Sequence, residues 1–553
     1  MQEALPAPAA LDDDDARLGG LGYRPQLSRR LGLFANISVA FAFLAPVVGV
    51  FTMFTLGLST AGPAYVWLTF VPVAGMLLVA LVLGELARHF PAAGALYQYA
   101  KYTAGRAFGW FTGWFYGIAL LLTVAVVDAG AVSYVTSFAQ DVFGWSFSPT
   151  QHTVILVISL GLLVIQTTLN TLGVRVTHLL ALLGVVAGLL STFGIAIVLA
   201  IHGFHHGVGF LASTQGVQHA ASNPMQFSFG GSWLAGALVA VLGPAYIFRG
   251  FESPGDFAEE TRNPGRQVPR AMRHALIWGG LAAFVLTAAL LLAMPGGAGT
   301  MVLTVQGGGV SYILASLPSA LQETMLGLIV VAFFAAGAMV QATGSRLVFS
   351  YARDGALPGG KSLAEISARF KTPANALFTG ALVTVVFIGL EFASPSQDVK
   401  ILWFSYPGGA NALTSLATFA ITGFYLSLLL TVIGWMIARA RGRMPAGPAM
   451  LGRWAWPVAV LAALYLAGML ADLLAPTGLD SARAYVNQDW IALVLIVVLA
   501  LIGAVVFAIA RRGYRGTELP AAEAPADEAV GSEPVSVPGP AADTGDAPAA
   551  EAP

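Results

Sequence analysis

Cysteine is absent from the 553-residue chain, and charged residues are few. Without cysteine the chain cannot form disulfides, thiolate zinc sites or Fe–S centres. Charged residues make up 10% of the sequence, against roughly 25% in a soluble domain. The net charge of −1 leaves no basic surplus, so we expect no nucleic-acid partner. We also expect no cofactor and no bound metal, because "HGFHHG" (202–207) with His219 is more typical of a solvated loop.

Long apolar runs make up most of the chain. Apolar residues account for 57% of it, and the mean hydropathy is +0.76. About twelve runs are long enough to cross a hydrocarbon core of roughly 30 Å as helices. They lie near 33–58, 63–88, 109–136, 152–169, 176–201, 231–258, 272–294, 322–350, 374–392, 411–437, 455–475 and 489–510. The expected fold class is therefore all-α and polytopic, with about twelve transmembrane helices.

Lysine and arginine are distributed unequally between the two sets of loops. With twelve spans, only Lys400 and Arg483 fall in loops on the side opposite the N-terminus. The positive-inside rule then predicts a plasma (inner) membrane protein with both termini in the cytoplasm. The chain divides into a cytoplasmic tail (1–32), a ten-helix core (33–438), two additional helices (439–512) and a disordered acidic Ala/Pro-rich tail (513–553).

Helix breakers occur at mid-depth in the first and sixth spans. Pro46 and Gly49 interrupt the first span, while Gly250 and Pro254 interrupt the sixth. Backbone groups freed inside a membrane are tolerated only where they face protein or a wet cavity. Interrupted helices at corresponding positions in two five-helix halves indicate the binding site of a transporter.

Two shorter patterns concern helix packing on the side of the N-terminus. Gly109, Gly113 and Gly117 in "GWFTGWFYG" predict close packing of the third span. The preceding loop "RHFPAAGALYQYAKYTAGRA" (88–107) is amphipathic. It is predicted to lie on the membrane surface as a helix.

Four stretches together resemble the amino acid–polyamine–organocation permeases, and most closely their amino acid/choline branch. They are "GELARHFPAAGALYQYA" (84–100), "FRGFESPGDFAEETRNPGRQVPRAM" (248–272), "ATGSRLVFSYARDGALP" (342–358) and "TPANALFTG" (372–380). The resemblance covers about residues 24–440. It implies the five-plus-five inverted-repeat fold of the bacterial leucine transporter, alternating access, and a central site between the first and sixth spans. The third, eighth and tenth spans would wall that site.

The candidate substrate-binding residues are those nearest this implied site. They are Ala42, Phe43, Ala45, Pro46, Val47, Gly49, Asp128, Phe248, Arg249, Gly250, Phe251, Glu252 and Phe334. The chain departs from the family where "AFLAPVVG" replaces a glycine-rich stretch and where an arginine precedes "GFES".

Three of these candidates carry charge inside the membrane, where a charge costs on the order of 2.5–3.5 kcal/mol and marks a functional hypothesis. Arg249 and Glu252 could pair on one helical face, or Arg249 could bind a substrate carboxylate or a gating partner. Asp128 could pair with Arg249, dock a substrate ammonium or carry a proton.

Coupling and gating candidates lie near the cytoplasmic ends of the spans. His178 could carry a proton, or it could be a satisfied interfacial histidine. Thr343 and Ser345 offer oxygen ligands for a sodium ion, a weak pattern. An ion-pair network acting as the inner gate, or a simple solvated interface, would comprise Glu85, Glu259, Glu260, Arg262, Arg346, Arg353 and Asp354.

The expected function is secondary active transport rather than catalysis, since no HExxH, GxSxG or cysteine pair occurs. The substrate expected is a small amino acid such as 4-aminobutyrate, moved by proton coupling or exchange, with H⁺ (or Na⁺) as the coupling ion. A cationic amine (choline, ethanolamine or a polyamine) is the alternative, and a transporter-like nutrient sensor is a remote one. The lipid bilayer is the other partner, and the sequence indicates no oligomeric state.

Overall fold

Helices account for almost all of the regular structure in the computed structural model. The structure describes residues 18–23, 27, 29–148, 151–214, 233–296, 301, 304, 309–392, 399–401, 404–406, 412–444, 450–474 and 491–514. All of these belong to one compact unit, residues 1–518. The predicted disordered tail lies outside the described residues, except for Gly513 and Tyr514.

The described elements are eighteen α-helices, four short 3₁₀ helices (Pro63–Thr69, Val208–Ala212, Ala258–Glu260 and Gly452–Trp454) and one short hairpin. The helices are α1 (Leu33–Leu44), α2 (Pro46–Ala61), α3 (Phe70–His89), α4 (Ala95–Ala104), α5 (Arg106–Phe143), α6 (His152–Thr171), α7 (Val174–His202), α8 (Trp233–Ala240), α9 (Leu242–Ile247), α10 (Ser253–Asp256), α11 (Pro264–Leu292), α12 (Val310–Leu314), α13 (Ser319–Arg353), α14 (Gly360–Leu363), α15 (Ala374–Phe392), α16 (Ala412–Ala440), α17 (Ala455–Leu474) and α18 (Ile491–Ala510). Strands β1 (Val399–Ile401) and β2 (Phe404–Tyr406) pair antiparallel.

The predicted all-α polytopic fold is confirmed. Within the described residues, ten helical segments are long and apolar enough to cross a membrane. Two shorter apolar helices, Trp233–Ile247 and Ala374–Gly389, lie where the sequence predicts the sixth and ninth spans. The bounds match the apolar runs because a membrane span must satisfy its backbone groups internally.

The first span is interrupted at Ala45, between α1 and α2. Ala45 has φ +39° and ψ 73°, a left-handed backbone conformation. Residues other than glycine rarely adopt it. Pro46 follows and begins α2, because a proline ring suits the first helical position but cannot continue a preceding helix. The structure therefore contains the break that Pro46 predicts.

The sixth span is interrupted between α9 and α10, over residues 248–252. Gly250 has φ +92°, and a Cβ at this position would overlap the ring of Phe43 from α1. Gly49 of the first span is also in close contact with the sixth span. A Cβ at Gly49 would lie 2.5 Å from Ile247 Cγ1. Glycine is needed at both positions, and the two interrupted spans meet at their breaks.

The long helices α5 and α13 pack against each other, and α16 packs on α5. We call the end of the bundle at which α1 begins the N-side, and the opposite end the far side. At the N-side, α4 is buried inside the protein. The prediction that this segment lies on the membrane surface is therefore wrong. Gly109 and Gly113 of α5 allow α4 to pack closely against α5. A Cβ at Gly109 would overlap the backbone of Lys101, and a Cβ at Gly113 would overlap the side chain of Tyr97, both on α4.

Candidate substrate and gating site

At the break in the first span, two backbone amides have no partner among the described residues. Ala45 O accepts a bond from Gly49 N at 3.1 Å, which closes the first turn of α2. Pro46 has no N–H, and the amides of Val47 and Val48 make no hydrogen bond outside the helix. Amides at the start of a helix have no intrahelical acceptor and favour an anion. Val47 therefore lies in a position suited to a carboxylate.

Arg249 stacks on Tyr246, one helical turn earlier. The guanidinium carbon lies 3.6 Å from the centroid of the Tyr246 ring, and Nη1 is 3.4 Å from Tyr246 O. Arg249 Nε and the Tyr246 hydroxyl are both buried without a hydrogen-bond partner. Both groups are hydrogen-bond donors, and a charged donor of this kind makes strong hydrogen bonds to anions. Sequence reasoning missed Tyr246, although its i−3 spacing from Arg249 was visible.

No ion pair joins Glu252 to Arg249, and Gly250, with φ +92°, interrupts the helix between them. Instead Tyr116 Oη on α5 lies 2.8 Å from Glu252 Oε1 and 2.8 Å from Asp256 Oδ2. Glu252 Oε2 accepts a bond from Gly250 N at 3.1 Å, and Asp256 Oδ1 has no partner. Both carboxyl groups are 0% exposed. Neither carboxyl group forms an ion pair with the described residues. The two carboxyl groups therefore share the hydroxyl of Tyr116 as a hydrogen-bond partner.

Asp128 lies away from Arg249. Its Oδ1 accepts a bond of 2.7 Å from Gln166 Nε2 on α6, and the position of Gly337 on α13 closes over the same oxygen. A Cβ at Gly130, two residues later, would lie 3.4 Å from Phe333 of α13 and 3.6 Å from Thr52 of α2. The second oxygen of Asp128, Oδ2, is buried without a hydrogen-bond partner. The Asp128–Arg249 pair considered in the sequence analysis is not formed.

Replacing Asp128 by asparagine is therefore expected to leave uptake near the wild-type level. An asparagine keeps an oxygen acceptor for Gln166, whereas alanine leaves the buried Gln166 amide unpaired at a cost of about 1–3 kcal/mol. We expect Asp128→Ala to lower the thermal unfolding temperature in detergent more than Asp128→Asn does. Loss of uptake in a stable Asp128→Asn protein would show that the charge itself is required.

An aromatic layer joins three spans toward the far side of the break. The ring centroids of Phe51 and Tyr134 are 5.5 Å apart, and those of Tyr134 and Phe333 are 5.3 Å apart. Phe334, the predicted lining residue, instead uses its carbonyl oxygen to face Gln166 at 3.4 Å. The ring contact with Tyr134 therefore comes from Phe333, the residue before the predicted Phe334.

Other predicted lining residues are buried by helix packing. Phe248 and Phe251 are both 0% exposed. Ala42 packs against Gly184 of α7, where an added Cβ would overlap the side chains of Ala42 and of Ala335 on α13. Phe43 of α1 contacts the sixth-span break at Gly250.

The predicted gating charges form ion pairs at the N-side. Arg346 Nε lies 3.0 Å from Glu260 Oε1, and Arg353 Nη2 lies 2.8 Å from Glu259 Oε1. Both pairs tie the end of the sixth span to α13. Glu85 pairs separately with Arg439 of α16, at 3.1 Å. The sequence identified both members of the first two pairs, but it missed Arg439 as the partner of Glu85.

Asp354 belongs to a different cluster, which sequence reasoning did not find. Lys101 Nζ of α4 lies 2.7 Å from Asp354 Oδ2 and 2.6 Å from Tyr23 Oη. Burial lowers the pKa of Lys101, and the charge of Asp354 opposes that effect. Burial, together with the charge of Asp354, raises the pKa of Tyr23 and Tyr97. Both phenols therefore remain hydrogen-bond donors at neutral pH.

The remaining coupling candidates make only local contacts. His178 Nδ1 is buried without a partner at the start of α7. Thr343 Oγ1 bonds to Met339 O and Ser345 Oγ bonds to Ala342 O, within their own helix. No cluster of three or more metal-ligating side chains occurs in the described part of the chain.

Two interrupted spans that cross in the middle of a helical bundle, with an arginine and free amides at the crossing, define a membrane transport protein. A family model described as "Amino acid permease" matches residues 34–508. The chain therefore belongs to the amino acid permease family, and it is a transporter rather than an enzyme.

The relatives with similar sequences carry permease names. An uncharacterized amino-acid permease of Schizosaccharomyces pombe is 25% identical, over 87% of this chain and 83% of its own length. Amino-acid permease BAT1 of Arabidopsis thaliana is 23% identical, over 82% of this chain and 87% of its own length. The glutamate/serine transporter AimA of Bacillus subtilis is 29% identical, over 45% of this chain and 44% of its own length.

Proposed function

We propose that the protein carries a small amino acid across the plasma membrane by alternating access, with its N-side and both termini in the cytoplasm. The observation that carries this proposal is the pair of unpartnered donors, Arg249 Nε and Tyr246 Oη, beside the sixth-span break. Together with the amides of Val47 and Val48 they would hold the substrate carboxylate. A planar guanidinium binds a carboxylate with two parallel hydrogen bonds.

A zwitterion with separated charges, such as 4-aminobutyrate, fits this arrangement better than a cationic amine. The cationic alternative relies on Asp128 as the counter-ion, of which Oδ1 is bonded to Gln166 and Oδ2 has no partner. Arg249 would repel an amine that lacks a carboxylate. The name of AimA points to glutamate and serine for that relative, and both of those molecules carry a carboxylate.

Proton coupling is the mode we propose, with Glu252, Tyr116 and Asp256 as the proton site. Two hydrogen bonds to Tyr116 Oη need two protons, and the phenol supplies only one. The second proton would then reside on Glu252 or Asp256. Arg249 forms no ion pair with either acid, and Arg346 is already paired with Glu260. Loss of the second proton would leave two buried carboxylates sharing one donor, a state that opening to water would relieve.

The first experiment is a thermal-shift screen of the purified protein, followed by flux in proteoliposomes. The probes are 4-aminobutyrate, glutamate, serine, choline, ethanolamine and putrescine, each with and without sodium and at several pH values. We expect a carboxylate-bearing probe to stabilise the protein and to accumulate when the outside is acidic.

The same measurements separate the alternatives. Accumulation of choline or putrescine, but of no amino acid, would replace the proposal with the cationic one. Binding without flux would favour a sensor. Accumulation that needs sodium and ignores the pH gradient would contradict the proton site.

A further inference from the structure

The start of α11, at the N-side, carries a run of basic side chains. Arg266, Arg270 and Arg273 follow one another at intervals of three or four residues, which places them along one face of the helix. Arg266 is exposed, and Arg270 and Arg273 are half-buried. None of the 29 residues of α11 is an aspartate or a glutamate. These three charges therefore have no acidic partner on their own helix, and the proposed transport site does not use them.

Two further arginines come from the elements that pack beside this face. Three elements meet at Gly84 of α3, because a Cβ there would lie 3.0 Å from Pro269 of α11 and 3.0 Å from Met450, which precedes α17. Arg88 follows Gly84 by one turn at the N-side end of α3. Arg453 follows Met450 by three residues and is exposed. The five arginines around this meeting point are called the basic patch: Arg88, Arg266, Arg270, Arg273 and Arg453.

The arginines of the basic patch have no counter-ion within the described part of the chain. None of them forms an ion pair with a described acid. Other N-side arginines differ in this respect, since Arg346 and Arg353 each pair with a glutamate. Glu85, beside the meeting point, is already paired with Arg439 at 3.1 Å. Like charges gathered without a counter-ion create a positive potential that attracts an external anion.

An exposed apolar strip continues from the basic patch toward the far side. Its residues are Ile277, Trp278 and Leu281, which follow Arg273 along α11 and are all exposed. Acyl chains cover such a strip in a membrane, and tryptophan is enriched at the level of the headgroups. A guanidinium binds a phosphate group with two parallel hydrogen bonds. The basic patch and the apolar strip therefore match the two parts of one phospholipid molecule.

We propose that this surface is a binding site for an anionic phospholipid, with the phosphate on the basic patch and the acyl chains along the apolar strip. Basic pockets between transmembrane helices are known to bind acidic headgroups. A zwitterionic lipid adds an ammonium group, which the arginines repel, so the site selects a lipid with net negative charge. Free phosphate lacks the chains that cover the strip, so it binds more weakly. The site is independent of the transported solute and of the coupling ion.

The first test measures lipid binding to the purified full chain in detergent, without substrate. Native mass spectrometry counts the bound molecules of phosphatidylglycerol and of phosphatidylcholine over a range of lipid concentrations. We expect the wild type to bind phosphatidylglycerol about tenfold more tightly than phosphatidylcholine. Combining Arg266→Gln, Arg270→Gln and Arg273→Gln should weaken the binding of phosphatidylglycerol by about 10- to 100-fold, because each of the three guanidinium groups contributes to the attraction.

The matched control removes the same charge elsewhere on the N-side. Lys361, Arg369 and Lys371 are exposed and lie between α13 and α15. Replacing all three by glutamine should change the affinity for phosphatidylglycerol by no more than about threefold, because salt screens charges that lie far from the site. Equal losses in the two triple variants, or equal affinity of the wild type for both lipids, would overturn the site. So would inorganic phosphate that displaces phosphatidylglycerol at an equal concentration, since the occupant would then be a free anion.

A second measurement locates the lipid without changing any arginine. The chain has no native cysteine, so Ile277→Cys can carry a single fluorophore that lipids with brominated chains quench. We expect brominated phosphatidylglycerol to quench this label at a lower mole fraction than brominated phosphatidylcholine does. Leu382→Cys on α15, which is also exposed, should show no such preference. Equal quenching by the two lipids at position 277 would overturn the site. Neither assay uses a substrate, so failure to find a transported solute would refute the proposed function and leave this inference to its own test.

Discussion

Replacing Arg249 by alanine is expected to raise the KM for a carboxylate-bearing substrate by about 10- to 100-fold. A hydrogen bond to a charged group contributes about 1.5–3 kcal/mol, and each 1.4 kcal/mol corresponds to a factor of ten. Arg249 lies beside the break with Nε unpartnered, so no ion pair within the protein needs to be broken before it binds substrate. The measurement is initial-rate uptake in proteoliposomes over a range of substrate concentrations.

Matched variants separate binding from packing. Arg249→Lys keeps the charge but loses the planar fork, so it should fall between the wild type and Arg249→Ala. Tyr246→Phe keeps the ring on which the guanidinium stacks and removes only the hydroxyl, so a smaller increase in KM is expected. If Arg249→Ala leaves KM unchanged but lowers the maximal rate, Arg249 is part of a gate instead of the binding site.

Replacing Glu252 by glutamine is expected to abolish accumulation driven by a pH gradient while leaving exchange of substrate intact. One coupled proton supports about a tenfold accumulation per unit of pH difference, since one unit corresponds to 1.36 kcal/mol. A glutamine keeps the length of the side chain and an oxygen for the Tyr116 contact, but it cannot bind or release the proton. Concentrative uptake and counterflow are measured in the same proteoliposomes.

The two other members of the proton site give the controls. Asp256→Asn should have the same effect as Glu252→Gln, because either substitution removes the carboxyl with which the proton is shared. Tyr116→Phe removes the bridging hydroxyl and should shift the pH dependence of uptake while allowing some accumulation. Full accumulation by both amide variants would exclude this site and direct attention to His178.

Much of the fold could be predicted because a membrane span is determined locally. An apolar run of sufficient length forms a helix wherever it lies in the chain, since its backbone has no other partner in lipid. The breaks at Pro46 and Gly250 are also local, because a missing N–H or a positive φ is a property of one residue. The burial of α4 was missed because its partners, Tyr23 and Asp354, come from distant parts of the chain.

The sequence by itself determined the class of the protein and its all-α polytopic fold. It also marked the residues of the N-side ion pairs, because charges so close to apolar runs need partners. The tertiary structure decided which charges meet. It placed Glu252 and Asp256 on one tyrosine of α5, turned Asp128 toward Gln166, and brought Tyr23 to Asp354. Such pairings depend on how helices far apart in sequence rotate and pack, and the periodicity of a single helix does not contain that information.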